Sequence, residues 1–289
     1  MKCLHYLGNR FPCGQCMACR LNKQREKALR LSHELQYHKD SVFITLTYNP
    51  EHLPSGKTLV KKDLQDFMKR LRKEVEPDRI RFFACGEYGS DDHTQHPHYH
   101  LIVFGLAYND KRVFTQVQFL PSSDVYRCNC KAWDKGFVTV GKVNQARINY
   151  VAKYVVKKVT GKLSKQMYGD RLPEFSLCSR NPGIGYQYAE EHLNRIKEDG
   201  FCSVRGNKVP IPRYYIDKFY SHSDKFDRER ARNKSMEEAF RKQIDEFNSQ
   251  RQNNGFREYQ HWLEAKLETA KGILARRIQM KGKSKCQVS

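Results

Sequence analysis

A chain of 289 residues with 53 Lys and Arg against 32 Asp and Glu carries a formal charge of +21, and its 39% hydrophobic content supports a core, though a lean one. The cationic excess calls for a polyanionic partner, nucleic acid first and an anionic membrane surface second. No run of 18 apolar residues exists, which excludes a membrane-spanning helix. Met1-Lys2-Cys3-Leu4-His5 has no hydrophobic signal core, so the expectation is a cytosolic protein whose ten cysteines are thiols or metal ligands rather than disulfides.

Residues 1–20 hold Cys3, Cys13, Cys16 and Cys19, the last three as C-x2-C-x2-C. Four thiolates can close a structural zinc site, an iron–sulfur cluster needs the same residues, and small buried thiols at a turn before a helix are the plainer alternative. Leu21, Ala28, Leu31 and Leu35 recur at helical spacing to about Tyr37, with Lys23, Arg25, Lys27 and Arg30 on the polar face. Val42–Tyr48 is β-branched and aromatic, a strand ended by Asn49-Pro50. Leu64, Phe67, Met68, Leu71 and Val75 then mark an amphipathic helix stopped at Glu76-Pro77.

Arg81–Tyr88 reads as a strand, and so does His98–Phe104 after a polar turn ended by Pro97. Side chains two apart on a strand share a face, so His98 and His100 project together. A hairpin centred near Asp92 and His93 sets Glu87 opposite His98 and Cys85 opposite His100, about 5 Å apart. Two imidazoles and a carboxylate then form a metal site with positions open to substrate and water. The mixed set suits Mg²⁺ or Mn²⁺ in phosphate chemistry, with Zn²⁺ as the alternative. Two surface histidines on an edge strand are the competing explanation.

Val113–Phe119 alternates weakly and Gly136–Gly141 reads as a short strand. Cys128 and Cys130 are expected as loop thiols and Trp133 as packing. A helix follows from about Asn144 to Val159. Tyr150 and Tyr154 lie a turn apart on one of its faces, and each is followed three residues later by a lysine, Lys153 and Lys157. A turn at Arg180–Gly185, a helix over Tyr186–Ile196 and an extended Lys208–Tyr215 come next. From Asp224 to Lys285 the chain is charged and helical, interrupted at Asn253-Asn254-Gly255, with Phe240, Ile244, Phe247, Trp262, Leu263, Leu267 and Leu274 as anchors. The order of elements gives an α+β fold, a central antiparallel sheet with flanking helices. Residues 1–220 form the expected main domain with its cysteine-bearing N-terminal segment, and 221–289 a helical extension.

Pro12–Arg20, Phe43–Tyr48, Gly86-Glu87-Tyr88-Gly89, Pro97–His100, Gly136-Phe137-Val138, Tyr150–Lys158, Asn181–Gly185 and Pro212–Tyr215 together resemble the replication-initiation proteins of gokushovirus-type microviruses. His96 departs from that pattern, in which arginine precedes the proline. The resemblance implies an HUH endonuclease fold, with His98-Tyr99-His100 as the histidine–hydrophobic–histidine strand and Tyr150 and Tyr154 as nucleophiles. It implies nicking of single-stranded origin DNA through a 5′-phosphotyrosine, to start rolling-circle replication in the bacterial host cytoplasm, alongside host helicase or other replication proteins. Lys153 and Lys157 would assist phenolate formation, with Mg²⁺ or Mn²⁺ at Glu87, His98 and His100. The alternatives are a non-enzymatic, zinc-containing basic nucleic-acid binder and a metal-dependent hydrolytic nuclease.

Overall fold

A computed structural model describes residues 13–89, 96–157, 162–204, 206–254 and 258–283. The chain divides into two compact units, Leu21–Pro210, and Met1–Arg20 with Ile211–Ser289. The elements in order are α1 (Met17–Leu35), β1 (Ser41–Tyr48), α2 (Lys61–Glu74), β2 (Arg81–Tyr88), β3 (Pro97–Phe104), β4 (Phe114–Leu120), β5 (Val125–Cys130), β6 (Gly136–Lys142), α3 (Gln145–Lys157), α4 (Lys162–Tyr168), β7 (Phe175–Cys178), α5 (Tyr186–Glu191), α6 (Leu193–Asp199), β8 (Cys202–Val204), β9 (Asn207–Val209), α7 (Arg213–Phe219), α8 (His222–Asn254) and α9 (Tyr259–Lys283).

In the Leu21–Pro210 unit seven strands form one antiparallel sheet in the order β4-β5-β6-β1-β3-β2-β7, so the fold is α+β as the element order predicts. The hydrophobic runs of β2 and β3 have no polar alternation because both faces of these central strands are covered. On one face, Ile44, Leu46, Ala84, Leu101, Val103, Val138 and Val140 pack against Leu64, Phe67, Met68 and Leu71 of α2. On the other, Phe43, Phe83, Cys85, Ile102 and Phe104 meet Ala28 and Leu31 of α1 and Ile148, Val151 and Ala152 of α3.

Tyr99 shows why the residue between the two histidines is large. Its side chain points away from them into the α2 face, where it is fully buried. Its hydroxyl donates to Val60 O and accepts from Val60 N, both at 2.9 Å, and lies 2.8 Å from the Tyr48 hydroxyl. Tyr48 in turn donates to Asp63 Oδ2 at 2.7 Å. Strand β3 is thereby locked to the start of α2, with no buried hydroxyl of this pair unsatisfied. Gly86 leaves the room Tyr99 needs, since a Cβ there would meet Leu59 Cδ2 at 2.9 Å and Tyr99 Cε1 at 3.2 Å.

Several expectations are corrected. Cys128 and Cys130 are not loop thiols. They lie on β5, buried with Tyr126 partly buried on the same side, while Arg127 and Asn129 face outward. This is a period-2 strand pattern. Burial raises their thiols to about 12 and about 11, which makes them inert packing groups. Tyr186–Ile196 is not one helix, because His192 (φ −104°, ψ 13°) breaks it into α5 and α6. The extended reading of Lys208–Tyr215 holds only to Pro212, which caps α7 in an extended conformation. Phe240 is only a partial anchor: its ring meets Tyr259 edge-on with centroids 6.4 Å apart, but it is 56% exposed.

Within the second unit, α8 begins with reciprocal capping. Ser221 Oγ accepts from Asp224 N at 3.1 Å and Asp224 Oδ2 accepts from Ser221 N at 2.8 Å. Helices α8 and α9 meet through Phe247 and Trp262, whose rings lie 5.7 Å apart, and the Trp262 indole donates to Gln250 Oε1 at 2.7 Å. No helix among the described residues is long and apolar enough to cross a membrane.

Candidate active site

Strands β2 and β3 pair with Glu87 opposite His98 and Cys85 opposite His100, the register expected of a hairpin centred near Asp92 and His93. Residues 90–95 lie outside the described residues. Glu87, His98 and His100 project from the face that carries α1 and α3, and all three are at least half-buried. Glu87 Oε1 stands 2.9 Å from His98 Nε2 and 2.7 Å from His100 Nε2. Burial by itself pushes the Glu87 carboxyl up, but the hydrogen bonds and charge of His100 and His98 outweigh it and hold the group at about 2.

The outer nitrogens are also fixed. His98 Nδ1 lies 3.0 Å from the carbonyl of His96, which can only accept. A neutral ring has one proton for these two acceptors: on Nε2 it is donated to Glu87, and on Nδ1 it leaves the Nε2 lone pair facing the Glu87 carboxylate. Two acceptors at 2.9 Å attract only across a shared proton or cation. His100 Nδ1 is held by Thr45 Oγ1 at 3.0 Å. Neighbouring ligands at about 2.1 Å around an octahedral ion stand about 3.0 Å apart. The observed 2.7 and 2.9 Å come close to that spacing, so the residues fit a divalent cation.

Tyr150 reaches this cluster from α3. Its hydroxyl is 3.3 Å from His100 Nε2 and 3.4 Å from Glu87 Oε1. Its ring meets His100 edge-to-face with centroids 5.1 Å apart, and Phe43 at 6.3 Å. Helix α3 is positioned by Ile148, Val151 and Ala152 on the sheet and by two bonds from α1, Gln24 Nε2 to Asn149 O at 3.3 Å and Ser32 Oγ to Gln145 Oε1 at 3.2 Å. Lys153 is exposed on α3. The backbone of Tyr154 and Lys157 belongs to α3, but their side chains lie outside the described residues, as does all of Cys3. Cys13, Cys16 and Cys19 form a separate group with sulfurs within 4.8 Å of one another.

Two residues of this face are not visible in a local reading. The pairings Glu87–His98, His98–Thr47 and Thr47–Phe137 make one cross-strand row, and the next row runs Cys85, His100, Thr45, Thr139 and Arg127. Paired residues share a face. Phe137, at 54% exposure, is thus an uncovered ring in line with the histidines, and Thr45 is the hydroxyl that orients His100. Only the long-range pairings of β1 with β3 and β6 bring them there.

The family described as replication-associated protein ORF2 matches residues 41–159, a span that contains β1–β6 and α3. Replication-associated protein VP4 of Bdellovibrio phage phiMH2K is 33% identical over 218 residues, covering 72% of this chain and 66% of VP4. Replication-associated protein ORF2 of Spiroplasma virus 4 is 32% identical over 253 residues, covering 81% and 76%. Replication-associated protein ORF4 of Chlamydia phage 1 is 29% identical over 230 residues, covering 75% and 56%. The chain therefore spans just under two thirds of VP4 and little more than half of ORF4. No solved structure matches it. On these likenesses the chain belongs to the replication-associated proteins of gokushovirus-type microviruses.

Proposed function

We propose that the chain is a site-specific endonuclease and strand transferase for single-stranded DNA, nicking the viral origin in the cytoplasm of the host cell to initiate rolling-circle replication. The observation that carries this reading is the Tyr150 hydroxyl standing 3.3 Å from His100 Nε2 and 3.4 Å from Glu87 Oε1. A phenol beside a triad of ligands for a divalent ion matches the needs of phosphoryl transfer to tyrosine. Glu87, His98 and His100 would hold Mg²⁺ or Mn²⁺, which supplies charge neutralisation at a non-bridging phosphate oxygen.

The Tyr150 oxygen attacks phosphorus in line, its proton passing to solvent. The bond from phosphorus to the 3′ oxygen breaks, and that oxygen takes up a proton as a 3′ hydroxyl. The 5′ phosphate stays on tyrosine as an ester, which conserves the linkage for rejoining without a nucleotide triphosphate. Tyr154 is the second nucleophile of the scheme, able to take a second strand while the first remains attached. Lys153 and Lys157 stabilise developing phenolate. Phe43, edge-on to Tyr150, and Thr45, bonded to His100, orient the reacting groups. Host helicase or other replication proteins are the further partners of this scheme.

The test is a denaturing gel of the chain incubated with a labelled origin oligonucleotide and Mn²⁺. A band of protein joined to DNA is expected, lost with EDTA and lost in the Tyr150→Phe, Tyr154→Phe double variant. Cleavage without any joined species would identify a hydrolytic nuclease instead.

A further inference from the structure

The segment Cys13–Cys19 lies outside the scheme proposed for strand transfer, yet its sulfurs are gathered. Cys13 is exposed, Cys16 and Cys19 are buried, and their three Sγ atoms lie within 4.8 Å of one another. The backbone between them is folded around one sulfur. The amides of Gln15 and Cys16 both point at Cys13 Sγ, at 3.4 and 3.3 Å. Gly14, at φ +72°, makes the turn that aims them. Two amide donors on one sulfur favour its thiolate form. Thiols that pack only as small apolar groups do not need their exposed member wrapped by amides.

Cys16 directly precedes α1 and Cys19 lies in its first turn, which holds no acidic residue. The amides and dipole at that end also favour negative sulfur. Deprotonated together, three sulfurs this close would repel unless a cation lay among them. Around zinc, with bonds of about 2.3 Å, tetrahedral sulfurs stand about 3.8 Å apart. The present cluster reaches that with shifts of about 1 Å or less.

We propose that Cys13, Cys16 and Cys19 bind a zinc ion as a structural clasp at the head of α1, its fourth position filled from outside this segment or by solvent. The ion is distinct from the one at Glu87, His98 and His100. Soft thiolates select zinc, and the carboxylate–imidazole set takes a harder ion.

The experiment is metal analysis of the full chain purified without chelators. About one zinc per chain is expected, lost in Cys16→Ser and in Cys19→Ser and retained in His98→Ala. Cobalt exchanged into the wild-type chain is expected to show a thiolate-to-cobalt charge-transfer band. Zinc-edge X-ray absorption of the wild type is expected to report at least three sulfur neighbours, a readout that stands even where a cysteine variant fails to fold. The proposal is overturned by a zinc-free wild type, by zinc lost with His98→Ala and kept without the cysteines, by a nitrogen and oxygen shell, or by iron with acid-labile sulfide. None of these outcomes bears on adduct formation by Tyr150, so the two proposals fail separately.

Discussion

At the scale of residues the site depends on orientation as much as on identity. His100 Nδ1 is tied to Thr45 Oγ1 at 3.0 Å while Nε2 faces Glu87 at 2.7 Å, so Thr45 fixes both the ring plane and the nitrogen that is offered. Thr45→Val keeps the shape and removes that bond. It is expected to weaken Mn²⁺ binding by about 10- to 100-fold, read as a shift in the Mn²⁺ concentration that supports cleavage, with the melting temperature changed little. Unaltered Mn²⁺ dependence would show that His100 needs no such support. Phe137 gives a second test. Its ring is exposed and in the same cross-strand row as His98, a placement suited to stacking on a base next to the scissile linkage. Phe137→Ala should weaken binding of single-stranded oligonucleotides by about 1–3 kcal/mol, measured by fluorescence anisotropy, and should leave stability almost unchanged because the ring buries little. Equal affinity of the two proteins would remove Phe137 from the DNA path.

At the scale of elements, α1 and α5 are joined by a ring stack with a pH signature. His33 is 2% exposed and stacks on Tyr188 at 3.6 Å, which stacks on His192 at 4.1 Å. Burial, and then the neighbouring His192, lowers the His33 pKa from 6.5 to about 4. The folded state therefore holds the neutral ring while the unfolded chain takes a proton below pH 6.5. Stability is complete above that pH and is lost as the pH falls toward 4, by on the order of 3 kcal/mol. Denaturant midpoints compared between about pH 7 and about pH 4.5 should drop in the wild type and drop less in His33→Phe; parallel curves would place the acid sensitivity elsewhere. The elements differ in how far the sequence alone reveals them. The His98–His100 alternation and the symmetry of the flanking apolar runs suffice for the β2–β3 register, and the i, i+3, i+4 pattern from Leu64 suffices for α2. Strand β5 escapes because Tyr126, Cys128 and Cys130 make only a short alternation, and two thiols one residue apart with no partner pair in sequence read as loop thiols. The break at His192 and the start of α7 at Arg213 are likewise local events that periodicity does not mark. Thr45 and Phe137 become part of the site only through pairings between strands distant in sequence, which no local pattern encodes.

For the whole molecule, the charge of +21 makes a long-range prediction. Affinity for single-stranded DNA should fall with salt along a straight log–log line, with a slope of about −0.7 for each phosphate neutralised, measured by anisotropy over a salt series; a flat line would mean the positive charge does not serve DNA binding. The central claim, however, is chemical: a tyrosine of α3 becomes joined to DNA. The most direct measurement is mass spectrometry of the proteolysed protein–DNA adduct. The account predicts a nucleotide attached through its 5′ phosphate to the peptide carrying Tyr150 or Tyr154. Attachment at any other residue, or origin cleavage that leaves every tyrosine unmodified, would contradict it.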